Sequence, residues 1–192
     1  MAREQRNANQ RPQTLMTPEE LQQCLEEAFG GLQPPSFEEL TVSYGMDSEF
    51  EDAVRTDTAM TRRWQELRPL RQYLGSSLDI FLLTPKACQY YLPAYLYAMT
   101  DPAAISRYLS FVLGTLWYEN EYGDPLFNNP QLRDGWEELA VLLTDRQKRC
   151  IAHWLVEVLK SMNNPSVVGY EEVNMEVDRI EHMLKKYWNA WL

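Results

Sequence analysis

The sequence predicts an all-α protein: one compact domain of six to eight helices, with at most a minor β ribbon. Three observations carry this reading. Helix starts of one kind recur, a capping side chain followed by proline; apolar stripes at three- and four-residue spacing fill the last third; and alternating apolar–polar runs are scarce. Proline is harmless at a first helical position, because its missing N–H has no intrahelical partner there to lose.

Residues 1–16 are rich in Gln, Asn and Arg and lack periodicity, so they read as a flexible polar tail ahead of a helical domain over 17–192. Thr17-Pro18 opens a helix with Leu21, Leu25, Ala28 and Phe29 on one face, and Gly30-Gly31 stops it. Two short segments, Leu40 to Tyr44 and Leu78 to Leu83, are the strand candidates, able to form no more than a ribbon. Thr84-Pro85 opens the segment Cys88 to Met99, and Asp101-Pro102 opens another that turns Ile105, Leu109, Val112, Leu113, Leu116 and Trp117 inward. A polar, turn-rich loop over Tyr118 to Asn129 precedes a short helix holding Trp136 and Leu139. Thr144 caps a helix with Ile151, Trp154, Leu155, Val158 and Met162 at 3–4 spacing, ending at Asn163-Asn164-Pro165. A last helix from about Tyr170 carries Val173, Val177, Ile180, Leu184, Tyr187, Trp188 and Trp191 in one stripe, which predicts a packed C-terminus.

The chain has 192 residues, 45% of them apolar, with six Trp, eleven Tyr and six Phe, enough for one well-buried core. Cys24, Cys88 and Cys150 are widely spaced within predicted helices and form no Cys-x-x-Cys pair, so each reads as a small buried hydrophobe. The first residues lack the apolar core of a secretory signal and no run of eighteen apolar residues exists, so the expected setting is cytoplasmic, away from membranes.

Charge is unevenly spread. Thr17 to Asp57 holds eleven carboxylates against the single base Arg55, while everything from Thr58 onward carries sixteen acids against fourteen bases. The whole net charge of −10 thus resides in one N-terminal stretch. A pI near 4.7 argues against a nucleic-acid partner, which needs clustered Lys and Arg. Glu19, Glu20, Glu26 and Glu27 belong to the first helix, with Glu19 and Glu20 favourable in its first turn. Glu38 to Asp57 has no such explanation: seven carboxylates are interleaved there with Phe37, Tyr44, Met46 and Phe50.

Catalytic signatures are missing from the sequence, and the expectation is a non-enzyme without cofactor or metal. There is no Gly-x-Ser-x-Gly elbow, no Ser-x-x-Lys and no glycine-rich phosphate loop. His153 with Glu157 and Asp178 with His182 each share a helix face, yet neither has the i, i+3 spacing of a helical-bundle metal site. Cys150 lies near Arg149 and His153, which can favour a thiolate, but a structural buried cysteine is the plainer reading. Pro93 falls inside a predicted helix among Tyr90, Tyr91, Tyr95 and Tyr97, either as a bent, Tyr-lined pocket wall or as a core helix shaped to its neighbours.

Trp64-Gln65-Glu66-Leu67, Leu83-Thr84-Pro85, Tyr90-Tyr91-Leu92-Pro93-Ala94 and Leu143-Thr144-Asp145-Arg146-Gln147, with Ala28-Phe29 closing the first helix, together resemble a family of small bacterial proteins catalogued only as a domain of unknown function. The resemblance covers roughly Pro18 to Leu159 and implies a compact helical fold, with no catalytic residues to transfer.

Two functions follow as expectations. The first is an acidic interaction protein that binds and neutralises a basic protein partner, as bacterial immunity proteins do with their toxins. Its binding residues are Asp47, Glu49, Glu51, Asp52 and Asp57 as charged rim and Tyr44, Met46 and Phe50 as apolar anchors. The alternative is a small enzyme or ligand binder whose pocket is bordered by Tyr90, Tyr91 and Tyr95 with His153 as the polar group. Mimicry of nucleic acid by the acidic stretch is a weaker third, since forty residues with loops offer too little extended surface.

Overall fold

The structure is a computed structural model, and it describes residues 16–40, 63–67, 80, 83–100, 102–117, 130–162 and 170–192. Of these residues 81% are helical, in six α-helices and no strands, so the fold is all-α. The helices are α1 (Pro18–Phe29), α2 (Pro85–Ala98), α3 (Pro102–Leu116), α4 (Pro130–Leu142), α5 (Asp145–Met162) and α6 (Tyr170–Lys186). Short 3-10 turns lie at Phe37–Glu39, Trp64–Leu67 and Trp188–Trp191.

The predicted starts at Thr17, Thr84 and Thr144 form as the capping logic requires, while Asp101, ahead of α3, lies outside the described residues. Thr17 Oγ1 accepts from the Glu20 amide at 3.2 Å, and Glu20 Oε2 accepts from the Thr17 amide at 2.7 Å, a reciprocal box that satisfies two donors at the start of α1. Thr84 caps α2 by accepting from the Ala87 amide at 3.1 Å. Thr144 caps α5: its hydroxyl accepts from the Gln147 amide at 3.3 Å, and Gln147 Oε1 accepts from the Thr144 amide at 3.0 Å.

Helix α2 is the centre of the molecule. Its residues from Tyr90 to Leu96 are all buried, along with Ala87 and Cys88. A helix buried all round must be covered on every side. Here α1, α3, α4 and the Trp64–Leu67 turn supply the cover. A second centre is α5, which packs on α1, α6 and the C-terminal turn through buried Cys150, Ile151, Trp154, Leu155 and Val158. Each fully buried Leu or Ile along these seams contributes about 1.5–3 kcal/mol. The two centres meet where the Trp154 indole donates to the Leu96 carbonyl at 3.1 Å, giving that buried N–H its partner.

Three details refine the expectations. The two strand candidates do approach each other: the Thr84 amide donates to the Leu40 carbonyl at 3.0 Å and Leu83 forms an isolated bridge, while Thr41 to Tyr44, Leu78, Asp79, Phe81 and Leu82 lie outside the described residues. The last stripe is interrupted. Helix α6 ends at Lys186, Tyr187 takes φ −134° and ψ −54°, and a 3-10 turn follows. That break lets Tyr187 meet Trp136 edge-on at 5.5 Å and Trp188 at 5.0 Å between ring centres, within an aromatic cluster that also holds Trp117. Trp188 is fully buried, so the C-terminus is packed as its stripe predicts. Residues 1–15 of the polar tail and the loop 118–129 lie outside the described residues.

Candidate interaction surface

The described carboxylates of the acidic stretch divide into those engaged within the protein and those facing outward. Glu20 is held by the Thr17 amide. Glu27 pairs with Arg146 on α5 and accepts from Gln23 Nε2 at 2.9 Å. Glu39 accepts from Lys86 Nζ at 2.6 Å and from the Ser36 amide at 2.9 Å, and these donors lower its carboxyl to about 2. Glu19 and Glu38 are exposed.

The proposed rim and anchors, Tyr44, Met46, Asp47, Glu49, Phe50, Glu51, Asp52 and Asp57, lie outside the described residues. The structure does define where the chain bearing them departs and returns. Leu40 is buried and bonded to Thr84 at the start of α2. On return, Trp64 is buried, its indole donates to the Phe29 carbonyl at 3.4 Å, and its backbone amide meets the Tyr90 hydroxyl. Thr84 and Tyr90 lie six residues apart, about 9 Å along the helix axis. Both ends of the acidic segment are therefore fastened to the first two turns of α2.

A second exposed surface closes α4. Val141 is 84% and Leu142 42% exposed, and with Glu137 and Glu138 they line an open, apolar hollow of about 400 Å³. The Leu142 carbonyl accepts from Gln89 Nε2 at 2.8 Å, which fixes this end of α4 to α2. Sequence reasoning missed Val141 and Leu142, yet the signal was present. Trp136, Leu139 and Leu143 already form the inward face at 3–4 spacing, and Val141 and Leu142 fall off it.

The tyrosines of the alternative reading sit in the interior. Tyr90, Tyr91 and Tyr95 are buried, with the rings of Tyr90 and Tyr91 edge-to-face at 4.8 Å and those of Tyr95 and Tyr108 at 6.3 Å. Burial pushes the Tyr90 and Tyr91 hydroxyls up in pKa, with the Trp64 amide opposing that at Tyr90. His153 is half-buried on α5, where burial lowers its pKa and Lys160 adds to the effect against Glu157. Glu157 itself accepts from Lys160 Nζ at 2.8 Å. Among the described residues no cluster of three or more His, Cys, Asp or Glu is arranged to hold a metal, and no helix is long and apolar enough to cross a membrane.

Fold and surface together define an all-α protein built on one buried central helix, with a small exposed apolar patch beside Glu137 and Glu138. Comparison with known proteins adds nothing to this: no family model matches the chain, and neither a curated protein nor a solved structure does.

Proposed function

We propose that this chain is an interaction protein that binds a basic protein partner and neutralises it, in the manner of a bacterial immunity protein. The observation that carries the proposal is charge segregation: eleven carboxylates against one base within Thr17 to Asp57, in a chain of net charge −10. Such a field steers a cationic partner during encounter, and interleaved apolar side chains supply the contact that holds it. Two features of the fold support the reading. The unexplained part of the stretch is anchored at both ends to the central helix, which limits the ordering entropy lost on binding. The Val141–Leu142 hollow repeats the same chemistry, apolar residues beside the carboxylates Glu137 and Glu138. The resemblance to small bacterial helical proteins belongs to the same proposal and gives it its cellular setting.

The test is affinity purification from the native cell at graded salt, using the unaltered chain and a variant carrying Asp47→Asn, Glu49→Gln, Glu51→Gln and Asp52→Asn. The expected result is a basic protein released by salt, whose association with the variant slows by roughly tenfold or more and loses most of its salt dependence. Binding indifferent to both salt and the four substitutions would overturn the proposal.

A further inference from the structure

Helices α1 and α5 pack along their length with the C-terminal end of α1 beside the N-terminal end of α5, so they run antiparallel. Glu27 pairs with Arg146, and the Ala28 carbonyl accepts from Gln147 Nε2 at 3.1 Å. One turn back along α1 from Glu27 is Cys24; one turn forward along α5 from Arg146 is Cys150. The register therefore sets these cysteines opposite each other, near enough for each sulfur to act on the other. Cys24 is half-buried at the edge of the seam, and Cys150 is fully buried behind it. Cys88, on α2, is buried and belongs to neither helix of the seam.

We propose that Cys24 and Cys150 are an oxidant-responsive dithiol pair, which a hydroperoxide converts into a reversible disulfide joining α1 to α5. The two sulfurs have different environments and hence different roles. The neighbouring Cys150 thiol lowers the pKa of Cys24, with the Arg146 guanidinium adding to this against burial and Glu27. Cys150, facing Cys24 and shut away from water, is pushed up. Cys24 is thus the attacking thiolate and Cys150 the resolving thiol. The Cys24 sulfur attacks one peroxide oxygen; an S–O bond forms, the O–O bond breaks, and the departing oxygen takes a proton and leaves as an alcohol or water. The Cys150 sulfur then attacks the sulfenic sulfur of Cys24; the S–S bond forms, the S–O bond breaks, and hydroxide leaves with the Cys150 proton as a second water. Two thiols lose two electrons in total, and the hydroperoxide gains them. A small dithiol reverses the reaction. The product fastens α1, the helix that leads into the acidic segment, to the second packing centre of the fold.

The test uses the reduced full chain under native conditions, treated with equimolar hydrogen peroxide and read by thiol titration and non-reducing peptide mapping. Free thiols should fall from three to one. A single peptide pair joined through Cys24 and Cys150 should appear, and dithiothreitol should restore every thiol. Cys88→Ala should leave this pattern unchanged, and Cys150→Ser should stop Cys24 at its sulfenic or sulfinic acid. Three surviving thiols, a disulfide through Cys88, a disulfide between two copies of the chain, or over-oxidised Cys24 beside reduced Cys150 would each overturn the proposal. Mapping of the unsubstituted chain decides the matter by itself if a serine variant does not fold.

Discussion

Gln147 ties the packing centres together. It is a polar side chain only 1% exposed, and both ends of its amide are engaged: Nε2 donates to the Ala28 carbonyl of α1 at 3.1 Å, and Oε1 accepts from the Thr144 amide and from Gln89 Nε2 of α2, each at 3.0 Å. Gln89 in turn reaches the end of α4 through the Leu142 carbonyl. Leucine has a similar volume but neither donates nor accepts, so Gln147→Leu removes the partner of the part-buried Ala28 carbonyl, of the Thr144 amide and of one Gln89 N–H at once. The expected loss is about 2–3 kcal/mol, read as a lower urea midpoint with an unchanged slope. An unaltered midpoint would show that these groups find water instead. The Leu-Thr-x-x-Gln string is legible as a helix start. The bonds from Gln147 to Ala28 and Gln89 are not, since those residues lie 119 and 58 positions away and only packing brings them near.

At the scale of elements, α1 shows how a correct sequence reading can have a different cause. Gly30-Gly31 does end the helix, but Gly30 keeps a right-handed φ of −63° and its amide donates to the Glu26 carbonyl at 2.8 Å. The position needs glycine for space: a Cβ there would collide with that same carbonyl oxygen, whereas one on Gly31 would meet nothing within 4 Å. Gly30→Ala should therefore cost about 1–3 kcal/mol through forced backbone displacement. Gly31→Ala should be neutral, or stabilising by up to about 1 kcal/mol through a less flexible unfolded chain. Thermal unfolding of the two variants side by side checks both, and equal shifts would refute the steric account. For α2 the sequence left two readings of Pro93 and its tyrosines, because a helix buried on every face has no stripe to betray which side is covered. Amphipathic α1, α5 and α6 were legible because one face of each remains in water.

For the molecule as a whole, pH exposes how its charges are held. Glu39 has a folded pKa of about 2 against an ordinary 4.5, so the unfolded chain takes up a proton first as acid is added. Its contribution is complete above about 4.5 and disappears as pH falls toward 2. His153 acts in the same direction. Burial lowers its pKa below the ordinary 6.5, so protonation favours the unfolded chain as pH falls through and below that value. Glu176 opposes them, since burial raises its carboxyl and its contribution is lost as pH rises through the folded value. Glu39→Gln should lower the urea midpoint slightly at neutral pH and not at all near pH 2, converging as the carboxyl of the unaltered chain protonates. The effect is small because the Lys86 pair is exposed. A constant gap across that range would separate Glu39 from the acid response.

What the sequence determined by itself is local: where helices begin, which faces are apolar, that the C-terminus packs, and that negative charge gathers in one stretch. Those properties depend on neighbours three or four residues apart, and on counting. Only the tertiary structure decided that α2 is the buried axis, that its tyrosines pack in the interior, that both ends of the acidic segment return to it, and that Cys24 faces Cys150. Each of these depends on the order in which helices stack and on their mutual register, and side-chain shape across long chain separations sets both.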